Sequence, residues 1–134
     1  MSTRSLIEEV IACKKFAVSG VSRDEEKYGN KVYRALKAAG YTVYAINPNA
    51  EDIDGDPCYP GLFSLPGSVD CLVTVTPPEI TENTIRDAAH LKIPYLWMQP
   101  GSESTAAYNL GQAGSMRIVS GGPCILVALA VSKN

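Results

Sequence analysis

Short apolar runs and longer stretches of helical spacing alternate along this chain. Phe16 to Ser19, Thr42 to Ile46, Cys71 to Thr76, Tyr95 to Met98 and Arg117 to Val119 are runs rich in apolar or β-branched residues, and they predict five strands. Between them, Val32, Ala35, Leu36 and Ala39 recur at helical spacing ahead of Gly40, which is placed to cap the helix. Ile85, Ala88 and Ala89 mark the buried face of a second helix that opens at Pro78 and ends near Leu91, and Glu103 to Gln112 predicts a third. Ahead of the first strand, Leu6, Ile7, Val10 and Ile11 form one face of a short helix over residues 3–12, with Ser5 and Glu8 at capping-box spacing. Asp52 to Leu65 is dense in Pro and Gly and reads as a looped crossover. Strands alternating with helices predict an α/β fold: one domain over residues 1–134, with a mostly parallel five-stranded sheet and helices on both faces.

Composition narrows the function classes. A chain of 134 residues, 46% hydrophobic and 19% charged, makes one packed core and leaves no room for a second domain. Its net charge of -2 argues against a phosphate-tracking basic stripe, so no nucleic-acid partner is expected. The longest apolar run, Cys124 to Val131, is too short to span a bilayer, and the N-terminus has no signal-peptide pattern, so no membrane partner and a cytoplasmic location are expected. Cys13, Cys58, Cys71 and Cys124 are far apart and His90 is the single histidine, which supplies no metal-ligand spacing and predicts free thiols.

Parallel sheets bind ligands beyond the carboxyl ends of their strands, so chemistry is sought at the strand exits. The first exit, Gly20-Val21-Ser22-Arg23, combines a glycine for a tight turn with a hydroxyl and a cation, and Lys27 and Lys31 follow at the start of a helix. That is the outline of a phosphate cradle at a helix N-terminus. It is not the dinucleotide fingerprint, because Ser22 and Glu25 stand where G-x-G-x-x-G requires glycine. The next strand ends in Asn47-Pro48, where a dinucleotide enzyme keeps an acidic residue for the ribose. Thr76-Pro77-Pro78 makes a rigid apolar ledge or plain helix-start punctuation, and Gln99-Pro100-Gly101 offers an amide to a ligand or to its own loop. The last exit, Ser120 to Cys124, is glycine-rich, and its thiol has no histidine neighbour in sequence to activate it, which favours packing over catalysis. None of these exits holds a carboxylate or a histidine, so the rim reads as a binding site rather than a reaction centre.

The ordered set Val18 to Arg23, Lys27-Tyr28-Gly29, Tyr44 to Pro48, Val75 to Pro78 and Trp97 to Gly101 resembles the small CoA-binding family. That family is similar to the Rossmann-like CoA-binding domain of the succinyl-CoA synthetase alpha subunit, and the likeness runs from about Lys15 to Cys124. The resemblance implies coenzyme A or an acyl-CoA as ligand, with Gly20, Val21, Ser22 and Arg23 at its phosphates, Val75, Thr76 and Pro77 lining the nucleotide and Asn47 and Pro48 bordering the groove. Lys27 from the cradle and Gln99, Pro100 and Gly101 from the fourth exit complete the candidate cofactor-binding set. The synthetase keeps a lysine shortly after the position of Pro48, where this chain has Asn49-Ala50. A non-catalytic or regulatory CoA-binding protein is the expectation, and a protein partner or homodimer is compatible with it. The alternatives are an acyl-CoA or nicotinamide-dependent enzyme using the same rim, and an interaction module that has lost its ligand.

Overall fold

The computed structural model describes residues 3–132. Its elements are α1 (Thr3–Ile11), β1 (Lys15–Ser19), α2 (Tyr28–Ala38), β2 (Thr42–Ile46), β3 (Asp52–Ile53), β4 (Asp56–Tyr59), β5 (Cys71–Thr74), α3 (Pro78–His90), β6 (Tyr95–Met98), α4 (Thr105–Ala113), β7 (Arg117–Val119) and α5 (Ile125–Ser132), with a 3-10 turn at Leu62–Ser64. They form one α/β domain around a sheet ordered β3-β4-β2-β1-β5-β6-β7. Every neighbouring pair is parallel except β3 with β4.

The class is the one the pattern predicts, but the sheet has seven strands where five are expected. The two additional strands are a hairpin inside Asp52 to Leu65, turned at Asp54 and Gly55, both at positive φ (51° and 86°). Asp-Gly is the pair that favours such a turn, but each flanking run is too short to show alternation. α5 also has no counterpart in the periodicity, because Ile-Leu-Val-Ala-Leu-Ala-Val is apolar on every side. Ser5 lies inside α1, so the Ser5 and Glu8 spacing is not a cap. Gly40 does follow α2 as expected: at φ 96° its N–H donates to the Lys37 carbonyl (3.0 Å) and the Tyr41 N–H reaches back to Leu36 (3.2 Å).

Successive strand residues face opposite sides of the sheet and build two cores. Phe16 and Val18 of β1, Val73 of β5 and Trp97 of β6 pack beneath α1, α2 and α5. Ala17, Leu72, Leu96 and Met98 pack beneath α3 and α4 with Ile85, Ala88 and Ala107. Cover on both faces is why Cys71–Thr74 is buried throughout and reads as a continuous apolar run. The chain winds outward from β1 in both directions, toward β2 and β4 on one side and toward β5, β6 and β7 on the other. The connections that follow β1 and β5 therefore leave toward opposite faces of the sheet, to α2 and to α3, and such a point is where an open sheet has its crevice.

Candidate functional site

The β1 exit is held by backbone contacts that only glycine permits. Gly20 has φ 101°, and a Cβ on it would come within 2.9 Å of Val75 and Thr76 side-chain carbons. Gly29, in the first turn of α2, sits so close beneath that a Cβ would lie 2.3 Å from the Gly20 carbonyl oxygen. The pair brings the N-terminus of α2 against the strand exit. Lys27 is its N-cap residue and makes no side-chain cap, so the positive end of the helix faces the loop from Gly20 to Lys27 without an acid of its own first turn.

The predicted phosphate residues divide in this loop. Gly20 and Val21 both donate their N–H to the Ile46 carbonyl (3.0 and 3.3 Å), and Val21 is fully buried, so these two hold the loop on β2. Ser22 and Arg23 lie above them. The Ser22 hydroxyl accepts the Asp24 N–H at 3.0 Å, which leaves its own proton to donate. Arg23 is exposed and reaches across to Asp52, with Nη2 2.8 Å from Oδ1 and Nε donating to the backbone carbonyl at 3.1 Å. Exposed Lys27 completes the group. Beneath the loop, fully buried Asn30 donates from Nδ2 to the Ser22 carbonyl at 2.7 Å.

At the β2 exit the Asn47 amide is used up by the fold. Its Nδ2 donates to the Val21 carbonyl (2.8 Å), and its Oδ1 accepts the Asn49 N–H (2.8 Å). With Pro48, Gly20 and Thr76 it lines a cleft of about 290 Å³ whose far wall is α3. That wall presents Ile80, Asn83, Thr84 and Asp87, which the strand-exit reasoning missed. Their spacing of three and four residues after Pro78 is the signal that places them on one helix face. Ile80 is 51% exposed, and the Pro77-Pro78 start orients it: Pro78 occupies the first helical position as expected. Behind Thr76, the hydroxyl of buried Thr81 lies 2.8 Å from that of Thr76.

The β6 and β7 exits form a second group. Gln99 is fully buried, and its Oε1 accepts from the Tyr28 hydroxyl (2.8 Å) and from the Ile125 N–H (3.0 Å). The backbone donor fixes which end of the amide is oxygen, so Nε2 is the donor end, and it has no partner among the described residues. The Tyr28 hydroxyl also lies 2.6 Å from Cys124 Sγ. Burial first, then the contact with Cys124, pushes the Tyr28 phenol well above its ordinary range. The rim is not free of carboxylates, as the exits alone suggest: Glu103 accepts the Gly101 N–H (2.9 Å) and the Gly121 N–H (3.3 Å), tying two exit loops together. Pro100 and Gly101 are exposed beside it.

A parallel sheet wound both ways from β1, with a glycine turn and an uncapped helix start at the crevice, defines a Rossmann-like domain. The chain belongs to the CoA binding domain family, whose model matches residues 14–130. It is 35% identical over 81 residues to the ADP-forming acetate–CoA ligase I of Archaeoglobus fulgidus, a match covering 60% of this chain and 12% of the ligase. It therefore spans a small part of the length of that relative, and the same holds for the Pyrococcus furiosus ligase II alpha subunit at 15%. YneT of Bacillus subtilis, described as uncharacterized, is 24% identical over 98% of this chain and 97% of its own. Among solved structures, a conserved hypothetical protein from Pyrococcus furiosus is 34% identical with TM-score 0.79, over 85% of this chain and 97% of its own. A hypothetical protein from Pyrococcus horikoshii shares the fold at TM-score 0.92 and 23% identity, over 100% and 94%. No helix among the described residues is long and apolar enough to cross a membrane.

Proposed function

We propose that this protein binds coenzyme A or its thioesters along the carboxyl rim, in the cytoplasm, as a carrier or regulatory component without catalytic chemistry of its own. The observation that carries this reading is the Gly20 and Gly29 contact, which presents an uncapped helix N-terminus, the Ser22 hydroxyl and two exposed cations at the crevice of a CoA binding domain. In this assignment Ser22, Arg23 and Lys27 meet the phosphates, while Gly20 and Val21 set the loop that carries them. Asn47, Pro48, Val75, Thr76 and Pro77 border the adenosine, which lies in the cleft against Ile80. The pantetheine arm, rich in carbonyl acceptors, runs toward Gln99, Pro100 and Gly101, where the Gln99 Nε2 donor lacks an acceptor.

Asn47 argues against a nicotinamide cofactor. A dinucleotide site keeps a free acidic side chain at that strand end, whereas both polar atoms of Asn47 are spent on Val21 and Asn49. A ligand that binds only the folded state raises the melting temperature in step with its affinity. CoA should therefore raise it more than NAD or NADP at equal concentration, read by thermal denaturation. An equal or larger shift with NAD overturns the assignment.

A further inference from the structure

We propose that the apolar groove between α1 and α5 receives the acyl chain of a CoA thioester, so that the preferred ligand is a medium-chain acyl-CoA rather than free CoA. This rests on the CoA reading of the rim. The groove has a volume of about 840 Å³ and is walled mainly by Ile7 and Ile11 of α1 and by Val127, Ala128 and Val131 of α5, with Arg4 and Glu8 of α1 also on its lining and the β7 exit, Gly122 to Cys124, at one end. A helix that is apolar all round needs cover all round. α5 has it on one side only: Ile125 and Leu129 are buried in the core, yet Val127 and Val131 are 62% and 66% exposed. Single exposed valines need no explanation, but here they line a concave apolar surface rather than standing apart.

Continuity with the rim names the occupant. Cys124 belongs to both places: its Sγ touches the Tyr28 hydroxyl within the Gln99 group, and its side lines the groove. A flexible arm that leaves the α2 N-terminus and passes Tyr28 and Gln99 arrives at the groove mouth with its thiol end. Whatever is attached to that thiol enters a mainly apolar trough, with Arg4 and Glu8 among its lining residues. A two-fold contact that lays the exposed Val127 and Val131 of each copy into the other's groove is the competing occupant, and the titration below separates the two. Among the described residues the other exposed large apolar ones, Phe63, Ile80, Leu91 and Tyr108, lie on the 3-10 turn, on α3 and its C-cap and on α4, on the opposite face of the sheet, so a ridge from there would give an open chain of contacts rather than a closed dimer.

The test is calorimetric titration of the full chain with CoA, acetyl-CoA and octanoyl-CoA, each below its micelle concentration. A fully buried methylene strengthens binding about fourfold, so octanoyl-CoA should bind at least tenfold tighter than acetyl-CoA even with partial cover. Val127→Asp, at an exposed position, should bring octanoyl-CoA to within about threefold of acetyl-CoA while free CoA binds as before. Val131→Asp repeats the measurement at the next turn should the first variant fail to fold. Octanoyl- and acetyl-CoA binding equally, with CoA still bound, overturns the groove assignment and leaves the rim reading standing. Chain-length preference that survives both variants also overturns it. A concentration-dependent dimer dissolved by Val127→Asp, without chain-length preference, gives the groove to a second copy instead. Failure of CoA and every thioester to bind overturns the rim reading and this inference together.

Discussion

At the scale of single residues, the site depends on what two glycines leave out. Gly20 and Gly29 are nine positions apart, yet the start of α2 rests against the β1 exit because neither carries a Cβ. Gly29→Ala would set a methyl 2.3 Å from the Gly20 carbonyl, and backbone cannot rotate aside as a side chain can. The variant should lose about 1 to 3 kcal/mol of stability by urea denaturation and lose CoA-dependent stabilisation with it. A Gly29→Ala protein with unchanged midpoint and unchanged CoA response would show that the close approach is not what builds the cradle. Gly20 was legible in the sequence because a strand-turn-helix pattern surrounds it; Gly29 was visible only as part of the family resemblance. The Tyr28, Gln99 and Cys124 group was not legible as a unit. Its members lie 71 and 96 residues apart, and only the order of β1, β5, β6 and β7 in the sheet brings them together.

At the scale of elements, three helices end alike but with different residues in the left-handed position. α2 uses Gly40, whereas α3 uses Lys92 and α4 uses Ser115, both at φ 60°. Each makes the same pair of closing bonds: for α3, Lys92 N–H to Ala89 at 3.1 Å and Ile93 N–H to Ala88 at 3.1 Å. A side chain in that conformation costs roughly 1 to 2 kcal/mol, which glycine avoids, partly offset by glycine's greater freedom when unfolded. Lys92→Gly should therefore stabilise by about 0.5 to 1 kcal/mol, seen as a higher denaturation midpoint with no change at the rim, which is at the other end of α3. A lower midpoint would mean that the Lys92 side chain contributes more than its backbone costs. The same comparison explains what could be read in advance. Gly40 marks its helix end in the sequence, but Lys92 and Ser115 do not, and α3 and α4 were bounded instead by Pro78 and by apolar spacing. The β3 and β4 hairpin stayed hidden because its strands are two and four residues long, although Asp54-Gly55 carried its signal.

At the scale of the whole molecule, the sheet places its carboxyl rim between two differently anchored flanks. On the β7 side, Glu9 of α1 binds Arg117 and the Tyr95 hydroxyl (2.8 Å), holding α1 to the sheet. On the β4 side, Asp56 accepts from Lys37 and from the Tyr33 hydroxyl (3.0 Å), holding the hairpin to α2 and so fixing the edge from which Asp52 reaches Arg23. The hydrogen bond from Lys37, then that from Tyr33, holds the Asp56 carboxyl below its usual range against a smaller opposing effect of burial. An unfolded chain then binds a proton at Asp56 at a pH where the folded chain does not. Stability from this group is complete above the ordinary carboxylate range and is lost as pH falls through the depressed folded value. Because the pair is partly exposed, salt also weakens it. Asp56→Asn should therefore be less stable than the parent at pH 7, and the gap should close as the pH is lowered toward 3 or the salt is raised, by thermal denaturation. A gap that is the same at both pH values would mean that Asp56 holds the hairpin by shape and neutral hydrogen bonding, and the Arg23 and Asp52 contact at the rim would then not depend on charge at this edge.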